Sequence, residues 1–131
     1  MIEKFSKYSP LLLRTGIAIA FLWFGFSQIK NPANWVKLLP EFTQSLPLSQ
    51  NAFIYLNGSF EITFAALLLL GFFTRIVSLL LGLHLLSITY ALGYGAVAVR
   101  DFSLAIATFA IFLHGADEFC LENLIIKKKE N

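Results

Sequence analysis

The sequence predicts an all-α membrane protein, an antiparallel four-transmembrane-helix bundle with a short interfacial helical segment in the first outer loop. Three observations predict it. Of 131 residues, 57% are hydrophobic and 14% charged, and mean hydropathy is +0.72, more apolar surface than a water-soluble domain of this size can hide. The apolar residues gather into long runs of roughly 20, the length a helix needs to cross a hydrocarbon core of about 30 Å at about 1.5 Å per residue. Those runs lack the alternation of a membrane barrel, and an open sheet would leave backbone groups unpaired in lipid.

The first span covers about residues 11–29, "LLLRTGIAIAFLWFGFSQI". Lys4 and Lys7 precede it as they would a secretory signal, but it is longer than a signal core and has no small-x-small cleavage site. It is expected to remain as a permanent helix. The outer loop, residues 30–51, opens with Asn31 as a helix N-cap and Pro32 at a first helical position, followed by Trp35, Leu38, Leu39 and Phe42 at helical spacing. Pro40 should break or kink that helix. The segment is expected to lie at the outer interface with Trp35 as its anchor, where it can also serve as a lid or partner surface.

The second span covers about residues 52–73, the third 76–94 and the fourth 102–120, where "HGADEF" interrupts the end. The connections at 74–75 and 95–101 are short, so the helices they join should pack as antiparallel neighbours. A basic tail, residues 121–131, closes a single membrane domain spanning 1–131.

Orientation follows from the cations. With both termini cytoplasmic, the inner side holds Lys4, Lys7, Arg14, Arg75, Lys127, Lys128 and Lys129, and the outer side only Lys30, Lys37 and Arg100. This asymmetry favours N- and C-termini in the cytoplasm and a cell inner (plasma) membrane location. The tail "IIKKKEN" reads as a topology anchor, and a net charge of +2 gives no support for nucleic acid as a partner.

Polar residues inside the spans share faces. Arg14, Ala18, Phe21, Gly25 and Gln28 follow steps of four, three, four and three along the first helix, and Ser103, Ala107, Ala110, His114 and Asp117 repeat those steps in the fourth. The second helix aligns Asn57, Glu61 and Phe64, and the third Val77, Leu80, His84, Ser87 and Ala91. Every strongly polar side chain in the spans can therefore point into the bundle, with small residues allowing close backbone approach. Counted from the expected helix starts, Glu61 lies roughly 14 Å below the outer face, with His84 and His114 within about a turn of that depth. Arg14 and Asp117 fall together nearer the cytoplasm, as a structural ion pair would. Gln28, Asn57 and Arg100 fall toward the outer end.

A carboxylate at that depth favours its neutral form unless a cation or hydrogen bonds offset its desolvation. Glu61, with Asn57 beside it, is therefore a candidate to bind a ligand or exchange protons with His84 or His114. The same residues can instead form an internal hydrogen-bonded set that only fixes helix packing. A quinone head group would suit the layer, because its two oxygens need hydrogen-bond partners and its reduction needs protons. No metal is assigned, since two His and one carboxylate spread over three helices lack the spacing of a facial site, and a small bundle leaves little room for haem. CxxC, HExxH, GxGxxG and P-loop patterns are missing, and the single Cys120 cannot form an internal disulfide.

The residues also resemble a family. Arg14, Gly16, Phe21, Gly25, Pro32 and Trp35 match the opening helix of DoxX-like membrane proteins. Glu61 with "ALLLLGFFTR", through Gly71, Thr74 and Arg75, is similar to their second helix, and Arg100, Gly115 and Glu122 to their closing helix. The likeness departs at Gln28, where many relatives are expected to carry Lys. The resemblance implies a four-helix integral membrane protein from a family named for a subunit linked to quinone-dependent sulfur oxidation, with broader relatives that are chaperone-like.

Together these readings lead to an accessory membrane subunit in quinone-linked redox or oxidative-stress function. Any catalysis is expected through a membrane oxidoreductase partner rather than alone, because the chain encodes no electron carrier of its own. The alternative is a non-enzymatic module that binds a lipid or small hydrophobic ligand, or assists assembly of another membrane protein. Its surroundings are the lipid bilayer, with a membrane or peripheral redox partner or a second copy of the chain as candidate associates.

Overall fold

The computed structural model describes residues 2–131. Every regular element among them is helical. A 3-10 turn, Ile2–Tyr8, leads directly into helix α1, Ser9–Lys30. The loop after α1 contains the short helix α2, Pro32–Val36, and a second 3-10 turn, Glu41–Ser45. Helices α3, Gln50–Leu70, α4, Thr74–Leu92, and α5, Ala96–His114, complete the spans, and α6, Leu121–Glu130, ends the chain. Four helices are long and apolar enough to cross a membrane, so the chain is an all-α, multi-pass membrane protein.

The hydrophobic core runs along the inner seams of these helices through Ile17, Ala18, Phe21, Ala65, Leu68 and Leu81. Trp23, Phe26, Leu83, Ile106 and Leu113 point outward and are exposed. Such a surface needs lipid rather than water around it. Hydroxyls within the spans are satisfied locally: Ser78 donates to the Thr74 carbonyl at 2.6 Å, Thr89 to Leu85 at 2.8 Å and Thr108 to Leu104 at 2.7 Å. They can therefore sit in an apolar interior without a partner on another helix.

The helices pack most closely as two antiparallel pairs, α1 with α3 and α4 with α5. Glycine sets the first approach. A Cβ on Gly25 would lie 2.9 Å from the Gly58 carbonyl oxygen and 2.6 Å from Ile62 Cγ1, so only a residue without a side chain fits there. In the second pair, the Phe109 ring lies directly over Gly82.

Two boundaries differ from the sequence expectation for identifiable reasons. The second span ends at Leu70 rather than at 73, because Gly71 adopts φ +84 and its amide and that of Phe72 bond back to Leu68 and Leu67. That is a Schellman cap, which closes a helix however apolar the next residues are. The fourth span runs from Ala96 to His114 instead of 102–120, a shift of six residues. Arg100 and Asp101 made its first turns look like a loop. Gly115, at φ +81, stops it, and the following residues fold across the bundle end rather than continuing through the membrane. The expected tail, 121–131, is the helix α6 over most of its length.

Candidate functional site

A cavity of about 750 Å³ occupies the half of the bundle away from the chain termini. All four spans and the loop between α1 and α3 contribute to it. Phe21 and Phe24 of α1, Phe53 and Ile54 of α3, and Leu85 and Ile88 of α4 make its walls mostly apolar. Trp35, Leu38, Leu39 and Phe42 of that loop cover it. The loop is held by Trp35, whose Nε1 donates to Ser27 Oγ at 3.2 Å while its ring meets Phe24 edge-on with centroids 6.0 Å apart. The helical spacing expected through Phe42 is cut short: α2 ends at Val36, ahead of Pro40, and the 3-10 turn that follows Pro40 sets Phe42, largely exposed, at the rim of the cavity.

Glu61 lies in the cavity wall and is only 2% exposed. The close α1–α3 approach at Gly25 and Gly58 brings Gln28, one turn beyond Gly25, against it. Gln28 Nε2 donates to Glu61 Oε2 at 2.9 Å, and Asn57 Nδ2 donates to Gln28 Oε1 at 2.7 Å and to Glu61 Oε1 at 3.2 Å. His84 completes the set from α4, its Nε2 standing 2.9 Å from Glu61 Oε1. When Glu61 is ionised, His84 Nε2–H donates; when Glu61 carries the proton, its hydroxyl donates to an unprotonated Nε2. One proton can thus sit on either side of a single contact. The Phe60 ring, 4.9 Å from the imidazole, fixes the other flank of His84.

Arg100 and Asp101 form the far polar edge of the cavity. Asp101 is buried on the inner seam of α5, and its Oδ1 accepts from Arg100 Nε at 3.0 Å, with Nη2 of the same guanidinium also 3.0 Å away as an ion-pair contact. The guanidinium also lies over the Phe24 ring, 5.1 Å from its centroid. Arg100 Nη1 has no hydrogen-bond partner among the described residues. Unlike the carboxylate of Glu61, it offers a donor to whatever enters.

At the opposite end, Arg14 and Asp117 are both buried and paired, Nε to Oδ2 at 2.9 Å. Arg14 Nη1 also donates to the Leu68 and Leu69 carbonyls at 2.8 and 2.5 Å, satisfying the C-terminal end of α3 where its dipole is negative. Burial of Asp117 opposes its ionisation. The Arg14 guanidinium and the Phe119 amide, which donates at 2.9 Å, outweigh it and hold the carboxyl below the usual carboxylate range. The segment after α5 is fastened further by Asn123 Nδ2 donating to the Asp117 carbonyl at 2.8 Å, and by Glu122 Oε1 accepting from the Thr74 amide at 3.2 Å.

Of the residues expected to form one layer, Glu61, Asn57 and His84 meet, and His114 does not. With α5 beginning at Ala96, His114 stands about 27 Å from its start, at the terminal end of the bundle. It is exposed there, with Nδ1 3.2 Å from the Gly115 carbonyl oxygen. The expected fourth-helix seam is corrected with it: the buried face is Ala98, Asp101, Ala105, Thr108 and Ile111. Among the described residues, no three His, Cys, Asp or Glu side chains converge on one point. Sequence reasoning did not assign Gln28 or Arg100 to the site and passed over Asp101. The signal for Asp101 was the apolar spacing of Ala98, Ala105 and Thr108 around it, together with His114–Gly115 as a helix C-terminus.

No curated protein and no solved structure matches the chain. A family model described as DoxX matches residues 9–94, from the first residue of α1 to the turn after α4. That region holds Arg14, Gln28, Asn57, Glu61 and His84, and ends before Arg100 and Asp101. It spans well over half the sequence: the chain belongs to the DoxX family.

Proposed function

We propose that this DoxX-family membrane protein is an accessory subunit in quinone-linked redox function, and that the cavity beside Glu61 receives the head group of a quinone. The observation that carries the reading is the Glu61–His84 contact at 2.9 Å in the wall of a 750 Å³ cavity lined mainly by aromatic and aliphatic side chains. A largely apolar pocket with a few convergent polar groups is the usual form of a small-molecule site.

The residues fit such a group. Quinone oxygens accept hydrogen bonds, and His84 and Arg100 can donate at separate places on the lining. Phe21, Phe24 and Trp35 offer flat apolar surface for the ring. When bound, the quinone supplies two-electron redox chemistry that the chain's own side chains lack. Gln28 and Asn57 hold the Glu61 carboxyl in place, and Glu61 Oε1 and His84 Nε2 hold a proton between them. Electrons must come from a membrane or peripheral partner. We place the protein in the inner membrane with both termini cytoplasmic, on the excess of Lys and Arg at the terminal end.

Mass analysis of the lipid extract of purified protein tests the reading. Copurified quinone, reduced in amount by Glu61→Leu or His84→Ala in protein that still folds, is the expected result. A phospholipid or other apolar molecule in its place would favour a non-enzymatic lipid-binding or assembly role.

A further inference from the structure

A second cleft, of about 510 Å³, lies at the end of the bundle that carries both termini. Ser6 and Lys7 of the first 3-10 turn form one side, Asn123, Ile126 and Lys127 of α6 form another, and His114 lies in the lining with them. Lys7 and Lys127, 120 positions apart in the chain, thus face one space. Neither lysine has a carboxylate partner among the described residues, whose ion pairs are Arg14–Asp117, His84–Glu61 and Arg100–Asp101. Lys7 instead rests its ammonium 5.2 Å from the Tyr8 ring centroid.

Two carboxylates also line the cleft. Asp117 is neutralised by Arg14, whereas Glu118 is exposed and carries its own charge. The lining therefore remains cationic, through two lysines against one free carboxylate.

Its flanks are apolar and basic together. Ile2 and Phe5 are exposed on the 3-10 turn with Lys4 beside them, and Leu124, Ile125 and Ile126 are exposed on α6 ahead of Lys128 and Lys129. On α6 Lys128 and Lys129 follow Leu124 and Ile125 by four positions, so apolar and basic side chains succeed one another along the same faces, aliphatic side chains toward acyl chains and lysines reaching toward head groups. At the same end, Leu12 in the first turns of α1 and Leu113 in the last turn of α5 are exposed, which gives acyl chains a surface to follow.

We propose that the cleft binds the phosphate head group of an anionic phospholipid, with Lys7 and Lys127 as its cationic contacts. Lysines act on phosphate as point charges, and both attract an anionic head group. The site is independent of the cavity beside Glu61.

The test is lipid retention by the purified full-length protein in mixed micelles of phosphatidylglycerol and phosphatidylcholine with identical acyl chains, read by mass spectrometry of the intact complex. The wild type should retain phosphatidylglycerol about tenfold or more over phosphatidylcholine. Lys7→Gln with Lys127→Gln should cut the preference several-fold, while Lys30→Gln with Lys37→Gln, the same charge loss at the other end, should preserve it. Millimolar inorganic phosphate should not displace the lipid. Equal retention of the two lipids, equal loss in both double variants, or displacement by phosphate would each overturn the proposal, the last in favour of a soluble-anion site.

Discussion

Gly25 on α1 and Gly58 on α3 face each other so closely that a Cβ built on Gly58 would stand 3.0 Å from the Gly25 carbonyl oxygen. The contact positions the polar site as well as the helices, because Gln28 follows Gly25 by one turn and Glu61 follows Gly58 by one turn. Gly25→Ala should destabilise the protein by about 1–3 kcal/mol, through overpacking against Ile62 and the Gly58 backbone. Gly16→Ala is the control, since nothing lies within 4 Å of its Cβ position, and it should be neutral or mildly stabilising. Thermal denaturation in detergent distinguishes the two; equal effects would remove the close approach from the account.

Glu61 accepts amide N–H groups from both Gln28 and Asn57. In Glu61→Gln, one of those donors would meet an amide nitrogen instead of an oxygen, unless Gln28 reverses. The substitution should cost about 1–3 kcal/mol, and Glu61→Gln with Gln28→Glu should recover part of it by exchanging donor and acceptor roles. A double-mutant cycle on melting or denaturant midpoints measures that coupling, and a coupling of zero would mean the two side chains do not hold each other.

The Arg14–Asp117 pair ties α1 to the segment after α5 and to the end of α3. Removing either partner alone leaves a buried charge uncompensated, so Arg14→Met or Asp117→Leu should destabilise by about 3–5 kcal/mol. The double substitution should be less damaging than the sum of the two. Strict additivity would show that the pair does not interact.

Acid should loosen the same corner. The folded protein holds the Asp117 carboxyl below its unfolded value, so the pair's contribution is present at neutral pH and lost as pH falls through that lowered value. Melting temperature should fall below about pH 4, and the Asp117→Asn variant, less stable at neutral pH, should show a shallower fall. Parallel curves for the two proteins would place the acid sensitivity elsewhere.

Much of this was legible in the sequence where apolar and polar residues kept one helical period. Arg14, Ala18, Phe21, Gly25 and Gln28 are all buried on one face of α1, the seam their spacing describes. The start of α5 was obscured because Arg100 and Asp101 satisfy each other within a helix turn, and an isolated charged pair in a sequence resembles a loop. That six-residue shift alone moved His114 away from Glu61. Burial of Thr43 in the loop between α1 and α3, whose hydroxyl donates to the Pro40 carbonyl at 2.7 Å, was equally hidden, since it depends on how the loop folds.

A quinone in the cavity bounded by Trp35, His84 and Glu61 would lie against the Trp35 indole. Trp23 faces outward and is the other of the two tryptophans, so Trp23→Phe leaves Trp35 as the single indole reporter. Titration of that variant with a short-chain quinone should quench Trp35 fluorescence to saturation, and His84→Ala in the same background should weaken the apparent affinity about tenfold, the loss of one hydrogen bond from a buried site. Linear quenching without saturation, unchanged by His84→Ala, would contradict the account.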